Sequence, residues 1–462
     1  MVGPDRLATL LDPWLAGGGA TYVAVSRGVR ALVLDGRLPD GTRLPSERAL
    51  AATLGVSRTT VSAAYDLLRG EGYLRSAHGA GSLVSIPAAR VHRPDAGREE
   101  PAGVLDLTVA ALPAPARLLG AVTAASADLP AQLAGHGLHP FGLPALRAAV
   151  ARHLTGRGLP TGPEQVMVTS GALQGWNLLV RAVCRPGRPV LVEQPTYPAV
   201  VDALRAHHVR AVPLPVTAAG WDRPPAGMSA AHLTPDGQNP TGFVADEAAR
   251  REVLAGLRDA VVAVDETFAD LVLDGPVPPP AALLRPDVVT LGSMNKAFWA
   301  GLRIGWVRAD PGLLNRLAHE RASVDLGSPV LDQLVAVRLL DDAAAILAER
   351  RDLLRRSRAA LEEALRARLP DWRWTSPRAG MALWVELPRP SATRLAAAAL
   401  DLGLRITAGP RFAVDGTADR WLRVPFTLPA GRADVVADLL RQAWERSFSW
   451  TGRDSRASRW TV

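Results

Sequence analysis

The segment GSMNKAFWAGLRIG, residues 292–305, carries Lys296, which is one lysine among 53 basic residues; every other basic residue is an arginine. Arginine pairs well with carboxylates and phosphates, but its guanidinium stays protonated and cannot act as an amine nucleophile. A lysine is required wherever a Schiff base must form. The alternative is that a composition drifting toward arginine has left one lysine by chance, so the neighbouring segments must distinguish the two interpretations.

The segments around Lys296 supply the groups that a cofactor with a phosphate, an aldehyde and a basic ring nitrogen needs. Residues 170–175 follow a predicted strand and open a helix, whose first backbone amides favour an anion. Ser293 and Arg303 flank the lysine as hydroxyl and guanidinium phosphate ligands. Asp265 ends a predicted buried strand, and the 31 residues from there to Lys296 accommodate one helix and one strand. Taken singly, each segment has an ordinary structural explanation; together they predict pyridoxal 5′-phosphate as cofactor.

From about Leu105 to the region of Trp444 the chain resembles the fold-type I aminotransferases. The resemblance implies that Lys296 is the catalytic Schiff-base lysine, with the following partners: Asp265 on the ring nitrogen, Tyr197 stacked on the ring, Asn239 on the ring hydroxyl, the amides of Ala172 and Leu173 with Ser293 and Arg303 on the phosphate, and Arg423 on a substrate or effector carboxylate. The chain departs from the family after the aspartate, where Thr267 and Phe268 stand in place of a tyrosine. Without that phenol, efficient transamination is not expected.

A smaller module precedes this region. Ser46 and Ser57 each occupy an N-cap position before a helical pattern, and Gly55 lies between them as the turn residue. A glycine-punctuated hairpin follows at residues 75–84. The second helix exposes Arg58 in its first turn, where a recognition helix meets base edges. A guanidinium there can pair bidentately with guanine, whereas hydroxyls and backbone amides hold phosphates.

The strings GTRLPSER at 41–48 and LGVSRTTV at 54–61 resemble the GntR-type winged helix-turn-helix, as do Gly72-Tyr73-Leu74 and the hairpin. The resemblance implies contacts with double-stranded operator DNA from Arg48, Ser57, Arg58, Thr59, Thr60, His78 and Gly79. An ordinary helical hairpin packed on the larger domain is the alternative that this match disfavours.

Length and composition agree with two folded units. The 462 residues exceed what one hydrophobic core usually holds, and 48% hydrophobic with 21% charged residues is typical of globular proteins. We predict a DNA-binding domain at 21–84, a polar linker at 85–104 and a cofactor-binding domain at 105–450. The single cysteine excludes an internal disulfide, and the histidine pairs 136/139 and 207/208 have no carboxylate or cysteine at ligand spacing. Neither a membrane span nor a secretory signal is recognisable, which predicts a cytoplasmic protein without a metal site.

A GntR-type module joined to an aminotransferase-like domain resembles the MocR subfamily of transcriptional regulators over nearly the whole chain. The fold class implied is α/β, with an N-terminal winged helix-turn-helix and a large fold-type I domain that binds pyridoxal phosphate. The resemblance further implies a homodimer that senses the cofactor itself or an amine or amino-acid effector, with weak or absent transaminase activity. A working aminotransferase that carries a nucleic-acid module, and a regulator that has lost its cofactor, are the alternatives.

Overall fold

The protein is described from a computed structural model that covers residues 2–15, 21–34, 37–77, 81–85, 104–217 and 220–448. The N-terminal module contains these elements: α1 Pro4–Leu15, α2 Tyr22–Leu34, α3 Glu47–Leu54, α4 Arg58–Gly70, β1 Leu74–Ala77 and β2 Gly81–Val84. Strands β1 and β2 form an antiparallel hairpin. The predicted linker lies almost entirely outside the described residues.

The helix-turn-helix forms because its local signals agree with its packing. Ser46 and Ser57 accept hydrogen bonds from the backbone amides of Ala49 and Thr60, at 3.2 and 3.1 Å, and so cap α3 and α4. Gly55 ends α3 in the left-handed conformation with φ of 66°, which glycine adopts without strain. The two helices therefore meet across a tight turn, and the apolar face of α4 closes a small core shared with α1, α2 and the hairpin.

The large domain alternates helices with strands. Its helices are α5 Leu118–Asp128, α6 Pro144–Gly156, α7 Ala172–Val183, α8 Pro198–Ala206, α9 Glu247–Gly256, α10 Ala281–Leu284, α11 Pro311–Arg321, α12 Val330–Asp341, α13 Ala343–Arg368, α14 Ala392–Leu400 and α15 Ala433–Phe448. Its strands are β3 Leu105–Asp106, β4 Val166–Thr169, β5 Pro189–Gln194, β6 Arg210–Thr217, β7 Gly220–Trp221, β8 Ala230–Leu233, β9 Val261–Asp265, β10 Val289–Ser293, β11 Gly305–Arg308, β12 Ala382–Glu386, β13 Leu404–Arg405, β14 Thr407–Ala408 and β15 Trp421–Pro425.

The central sheet has eight strands in the order β4-β11-β10-β9-β8-β5-β6-β7. Strands β10, β9, β8, β5 and β6 are mutually parallel, whereas β11 and the short edge strand β7 are antiparallel to their neighbours. Strands β4, β8 and β10 are buried along their whole length, as expected when helices cover both faces of a largely parallel sheet. The predicted α/β class is confirmed.

The sheet brings distant parts of the sequence to one edge. Because β4, β5, β8, β9 and β10 run in the same direction, the residues that follow these strands meet at their carboxyl ends, where ligands of such sheets bind. The interval between Asp265 and Lys296 contains the expected helix and strand, although the helix, α10, is a single turn. A separate three-stranded sheet, β12-β15-β14, carries Arg423 opposite Trp384.

Candidate functional site

Lys296 lies just past the end of β10, with its amine enclosed by protein. Nζ donates a 2.6 Å hydrogen bond to the carbonyl oxygen of Ala110 and lies 6.0 Å from the centroid of the Phe268 ring. Burial, followed by the charges of Arg423 and Arg303, lowers the pKa of Lys296 to about 8, against the opposing charge of Asp265. A neutral, nucleophilic amine is therefore accessible close to physiological pH.

Asp265 ends β9, and each of its carboxylate oxygens lies near another group. Oδ1 accepts a 2.9 Å hydrogen bond from the backbone amide of Thr267, and Oδ2 lies 4.0 Å from Nε2 of His232. His232 is fully buried on β8, and burial lowers its pKa although the charge of Asp265 opposes that shift. Burial thus disfavours the protonated form of the imidazole that faces this carboxylate. His232 was not predicted from the sequence; its signal was a polar residue inside a buried strand that neighbours β9.

An anion cradle surrounds Gly171, which precedes α7. Gly171 has φ of 119°, and a Cβ atom there would lie 3.1 Å from Nδ2 of Asn295 and 3.4 Å from a guanidinium nitrogen of Arg303. Ser293 Oγ would lie 3.8 Å from the same Cβ position, and Arg303 also donates a 2.7 Å hydrogen bond to the carbonyl of Ser170. The absence of a side chain at Gly171 therefore leaves a space lined by donors. Asn295 is a cradle residue that the sequence did not reveal.

The remaining predicted cofactor residues lie at the same edge. Ala172 and Leu173 form the first turn of α7, so their amides face the region of the cradle. Tyr197 precedes α8 and its side chain is 43% exposed, which leaves a ring face available. Asn239 lines a cleft together with Phe268 and residues 379–382.

Arg423 is buried on β15 and is only 6% exposed. Its guanidinium donates to the carbonyl oxygen of Thr108 and lies 4.9 Å from the centroid of the Phe412 ring. Burial lowers the pKa of Arg423 to about 10, and Tyr197 opposes that shift. Its Nε atom has no hydrogen-bond partner among the described residues. A buried cation with unused donor capacity suits a ligand carboxylate.

The backbone carbonyl groups of Thr108 and Ala110 accept hydrogen bonds from the two buried cations of the site. Lys296 and Arg423 donate to carbonyl oxygens only two residues apart in the chain. This segment immediately follows β3, which is fixed by the ion pair of Asp106 with Arg405 at 2.8 Å. A ligand that engages either cation must compete with these carbonyl groups.

The predicted DNA contacts of the small module lie largely on one surface. Arg48, Ser57, Arg58 and Thr59 are exposed, and Thr60 is partly buried. The Ser57 hydroxyl accepts from the Thr60 amide and also bonds the hydroxyls of both threonines, so this residue caps α4 in addition to any phosphate contact. The Arg58 side chain is 73% exposed, with Nε 3.7 Å from a carboxylate oxygen of Glu47. His78 and Gly79 lie outside the described residues.

The model of the family described as aminotransferase class I and II matches residues 103–440. The chain belongs to this family. The fold of the aminotransferase class I and II family implies pyridoxal 5′-phosphate as cofactor, and the residues at the sheet edge fit it: an amine with a lowered pKa, a carboxylate beside a buried imidazole, and a cradle that a Cβ would fill. Lys296, Asp265, Ser293 and Arg303 are the residues that would hold it.

A second model, described as bacterial regulatory proteins of the gntR family, matches residues 21–84. A GntR-type DNA-binding domain is therefore fused to a class I and II aminotransferase domain, which confirms the predicted architecture. Among relatives of this kind, the pyridoxine biosynthesis regulator PdxR of Corynebacterium glutamicum is 33% identical over 314 residues, covering 65% of this chain and 68% of that protein. The probable rhizopine catabolism regulatory protein MocR of Rhizobium meliloti is 29% identical, and the match covers 62% of this chain and 64% of the MocR chain.

Solved structures of the aminotransferase family are similar in fold. The α-aminoadipate aminotransferase LysN of Thermus thermophilus, complexed with N-(5′-phosphopyridoxyl)-L-leucine, superposes with a TM-score of 0.66 and 28% sequence identity. The match covers 75% of this chain and 92% of the LysN chain. The part of the chain that LysN matches is thus comparable in size to the large domain.

Within the described ranges, no cluster of three or more histidine, cysteine or acidic side chains is arranged to bind a metal ion. Across the same ranges, none of the helices combines the length and apolar character needed to span a bilayer.

Proposed function

We propose that this protein is a transcriptional regulator that binds operator DNA through its winged-helix module and pyridoxal phosphate in its large domain. The observation that carries the proposal is the position of Lys296. The single lysine of the chain is enclosed next to Asp265 and the Gly171 cradle, in a protein whose other domain is of the GntR type. The ligand sensed is the cofactor itself, an amine, or an amino acid. For an amino acid, Arg423 binds the carboxylate.

The DNA-binding half of this proposal rests on the exposed arginines of α3 and α4. Arg58 stands in the first turn of the recognition helix, where a side chain reaches base edges in the major groove. We assign the exposed Arg48 and Thr59 to contacts with the phosphate backbone. The partner is double-stranded DNA, and a regulator of this type works in the cytoplasm, where bacterial DNA lies.

The site favours sensing over turnover because one proton-controlling group is absent. When bound, the cofactor supplies an electrophilic carbon and a ring that withdraws electrons. Phe268 occupies the position beside Lys296 with a ring that carries no hydroxyl group, so it cannot donate a hydrogen bond or hold a proton there. The otherwise complete set of cofactor residues keeps an active aminotransferase as the second candidate. Steady-state turnover with amino acid and keto acid pairs distinguishes the two.

We further propose that the working unit is a homodimer formed through the large domains. Exposed apolar side chains of the large domain include Leu119 on α5, at 77% exposure, and the loop residues Leu138 and Leu326. Leu138 and Leu326 belong to neighbouring loops, since Gly327 packs against the backbone of His139. Apolar side chains exposed in adjacent loops are typical of a surface that another copy covers. Sedimentation of the full-length protein tests this assembly.

The first prediction concerns pH. The rate at which cofactor-free protein captures pyridoxal phosphate should rise with pH and level off above about pH 8, the pKa to which burial lowers Lys296. The protonated amine is not nucleophilic, so each pH unit below that value reduces the reactive fraction about tenfold. Stopped-flow absorbance measures the rate. A profile that continues to rise to pH 10, as for an ordinary lysine, would contradict the enclosed position of this amine.

The second prediction tests whether the two halves communicate. If pyridoxal phosphate changes the affinity for operator DNA by some factor, operator DNA must change the affinity for pyridoxal phosphate by the same factor, because binding linkage is reciprocal. The cofactor is titrated into the protein with and without a duplex selected by the protein from random sequences. Identical affinities in both titrations would show that the cofactor has only a structural role.

A further inference from the structure

The winged-helix module packs directly on the large domain of its own chain. Helix α1 lies against α14, and Arg37, between α2 and α3, donates a 2.9 Å hydrogen bond to the hydroxyl of Thr393 on α14. Arg6 on α1 donates a 3.4 Å hydrogen bond to the carbonyl oxygen of Asp415. The contact is therefore made by the side of the module that carries α1, whereas the predicted DNA contacts lie on α3, α4 and the hairpin.

Two further features extend this contact. A Cβ atom at Gly416 would lie 3.6 Å from Cδ of Arg37 and 3.9 Å from Cδ2 of Leu10, so the module fits closely over the backbone there. Arg27 on α2 lies near Asp401 at the end of α14, close enough for each charge to shift the pKa of the other group. The docking surface is thus formed by α14 and by residues 415–416.

Residues 409–417, which we call the coupling segment, contact the winged-helix module on one side. On the other side they contact the surroundings of Tyr197 and Arg423, which we call the effector site. The backbone amide of Thr196 donates a 2.8 Å hydrogen bond to the carbonyl oxygen of Phe412. Gln194 accepts from the amide of Val414 at 3.2 Å and donates to the carboxylate of Asp415 at 3.1 Å. Asp415 therefore bonds the end of β5 through its side chain and the winged-helix module through its carbonyl group.

The residues at the inner side of the coupling segment are adjacent to the predicted ligand contacts. Thr196 immediately precedes Tyr197, the predicted stacking residue. The Phe412 ring lies under the guanidinium of Arg423, the predicted carboxylate ligand, which now donates to Thr108. A ligand that stacks on Tyr197, or draws Arg423 away from the Thr108 carbonyl, must alter the environment of the coupling segment.

We propose that the coupling segment transmits the state of the effector site to the docked winged-helix module, and so sets how the module is presented to DNA. This inference rests on the proposed function and names the contact through which it is regulated. Packed segments of this kind shift between discrete arrangements, because close-packed interiors do not deform continuously. The proposed route consists of direct hydrogen bonds from Gln194 and Thr196 to the segment, and from Arg6 on the module to Asp415.

Hydrogen exchange of the full-length protein tests the proposal, with pyridoxal 5′-phosphate alone as the probe. Saturation, verified by the visible absorption band, should change the exchange of amides in both the coupling segment and α1 by about fivefold or more. In the double variant Arg6→Ala/Arg37→Ala, the coupling segment should still respond, whereas α1 should not. Operator affinity, which the cofactor should change by a similar factor in the wild type, should become insensitive to the cofactor in the double variant.

The controls separate this contact from general effects. Arg188→Ala removes one positive charge, as Arg6→Ala alone does, from an exposed turn of the large domain and should behave as the wild type. Arg6→Ala alone changes an exposed side chain, and it provides a second variant if the double variant folds poorly. Unchanged exchange in α1 of the saturated wild type, or a full α1 response in the variants, would overturn the proposal. A wild type without any absorption band would instead reject the proposed function, and this inference with it.

Discussion

Replacing Lys296 with alanine should abolish the visible absorption band of the protein incubated with pyridoxal phosphate. Lys296 is the single lysine of the chain, so this replacement removes the only side-chain amine that can bind the cofactor covalently. The effect expected is complete loss of the band, not a shift in affinity. Borohydride reduction followed by peptide mass analysis measures the same attachment directly, and should place the adduct on Lys296 in the wild type and nowhere in the variant.

Lys296→Arg is the matched control for this experiment. It keeps a positive charge close to Asp265 and a donor for the carbonyl of Ala110, but a guanidinium cannot attach to the cofactor. The arginine variant should therefore retain the fold, judged by its melting temperature, and also lack the band. A band that persists in both variants would place the attachment on the α-amino group of the chain and would remove the support that Lys296 gives to the proposed function.

Arg58→Ala should lower affinity for the selected operator by about 1–3 kcal/mol and relax discrimination at one base pair. A bidentate guanidinium contact recognises the identity of the base in addition to supplying positive charge. The side chain is 73% exposed and its helix is capped independently by Ser57, so the replacement should leave the fold intact. Competition binding against operators with single base substitutions measures both effects. Equal losses on operator and random duplex would identify Arg58 as a backbone contact.

Arg48→Ala provides the matched comparison on α3. The first helix of a helix-turn-helix crosses the phosphate backbone, so this variant should weaken binding to every sequence alike and reduce the salt dependence by about one charge. Ser57→Ala is a poorer probe of a phosphate contact than the sequence suggested. Its hydroxyl caps α4, and loss of such a cap typically costs about 1 kcal/mol of stability.

The parts of the fold that could be predicted were those with strong local signals. The caps of α3 and α4 and the buried strands are determined by nearby residues, and the alternation of helix and strand predicts a largely parallel sheet. Segments that follow parallel strands meet at one edge, so the order of 170–175, Asp265 and 292–305 was sufficient to anticipate the candidate site. What this order could not provide was the length of the helix between Asp265 and Lys296, which is one turn.

The unpredicted contacts all depend on residues that are far apart in the chain. His232 meets Asp265 because β8 and β9 are adjacent, which a buried histidine in isolation does not reveal. Ala110 accepts from Lys296 across 186 positions, and Arg37 reaches Thr393 across 356. Such contacts carry no local pattern of hydrophobicity or capping. They form only when distant parts of the chain have packed together.

The enclosed position of Lys296 also bears on chemical damage. Sugars and reactive aldehydes in a cell attack exposed amines, and proteins usually present many lysines to them. This chain has a single lysine, and its amine is enclosed beneath the Ala110 carbonyl. An aldehyde without a phosphate gains nothing from the donors around Gly171, so it is not concentrated near the amine. Reaction at this lysine therefore favours a phosphorylated aldehyde over an unphosphorylated one, although the lowered pKa leaves the amine reactive.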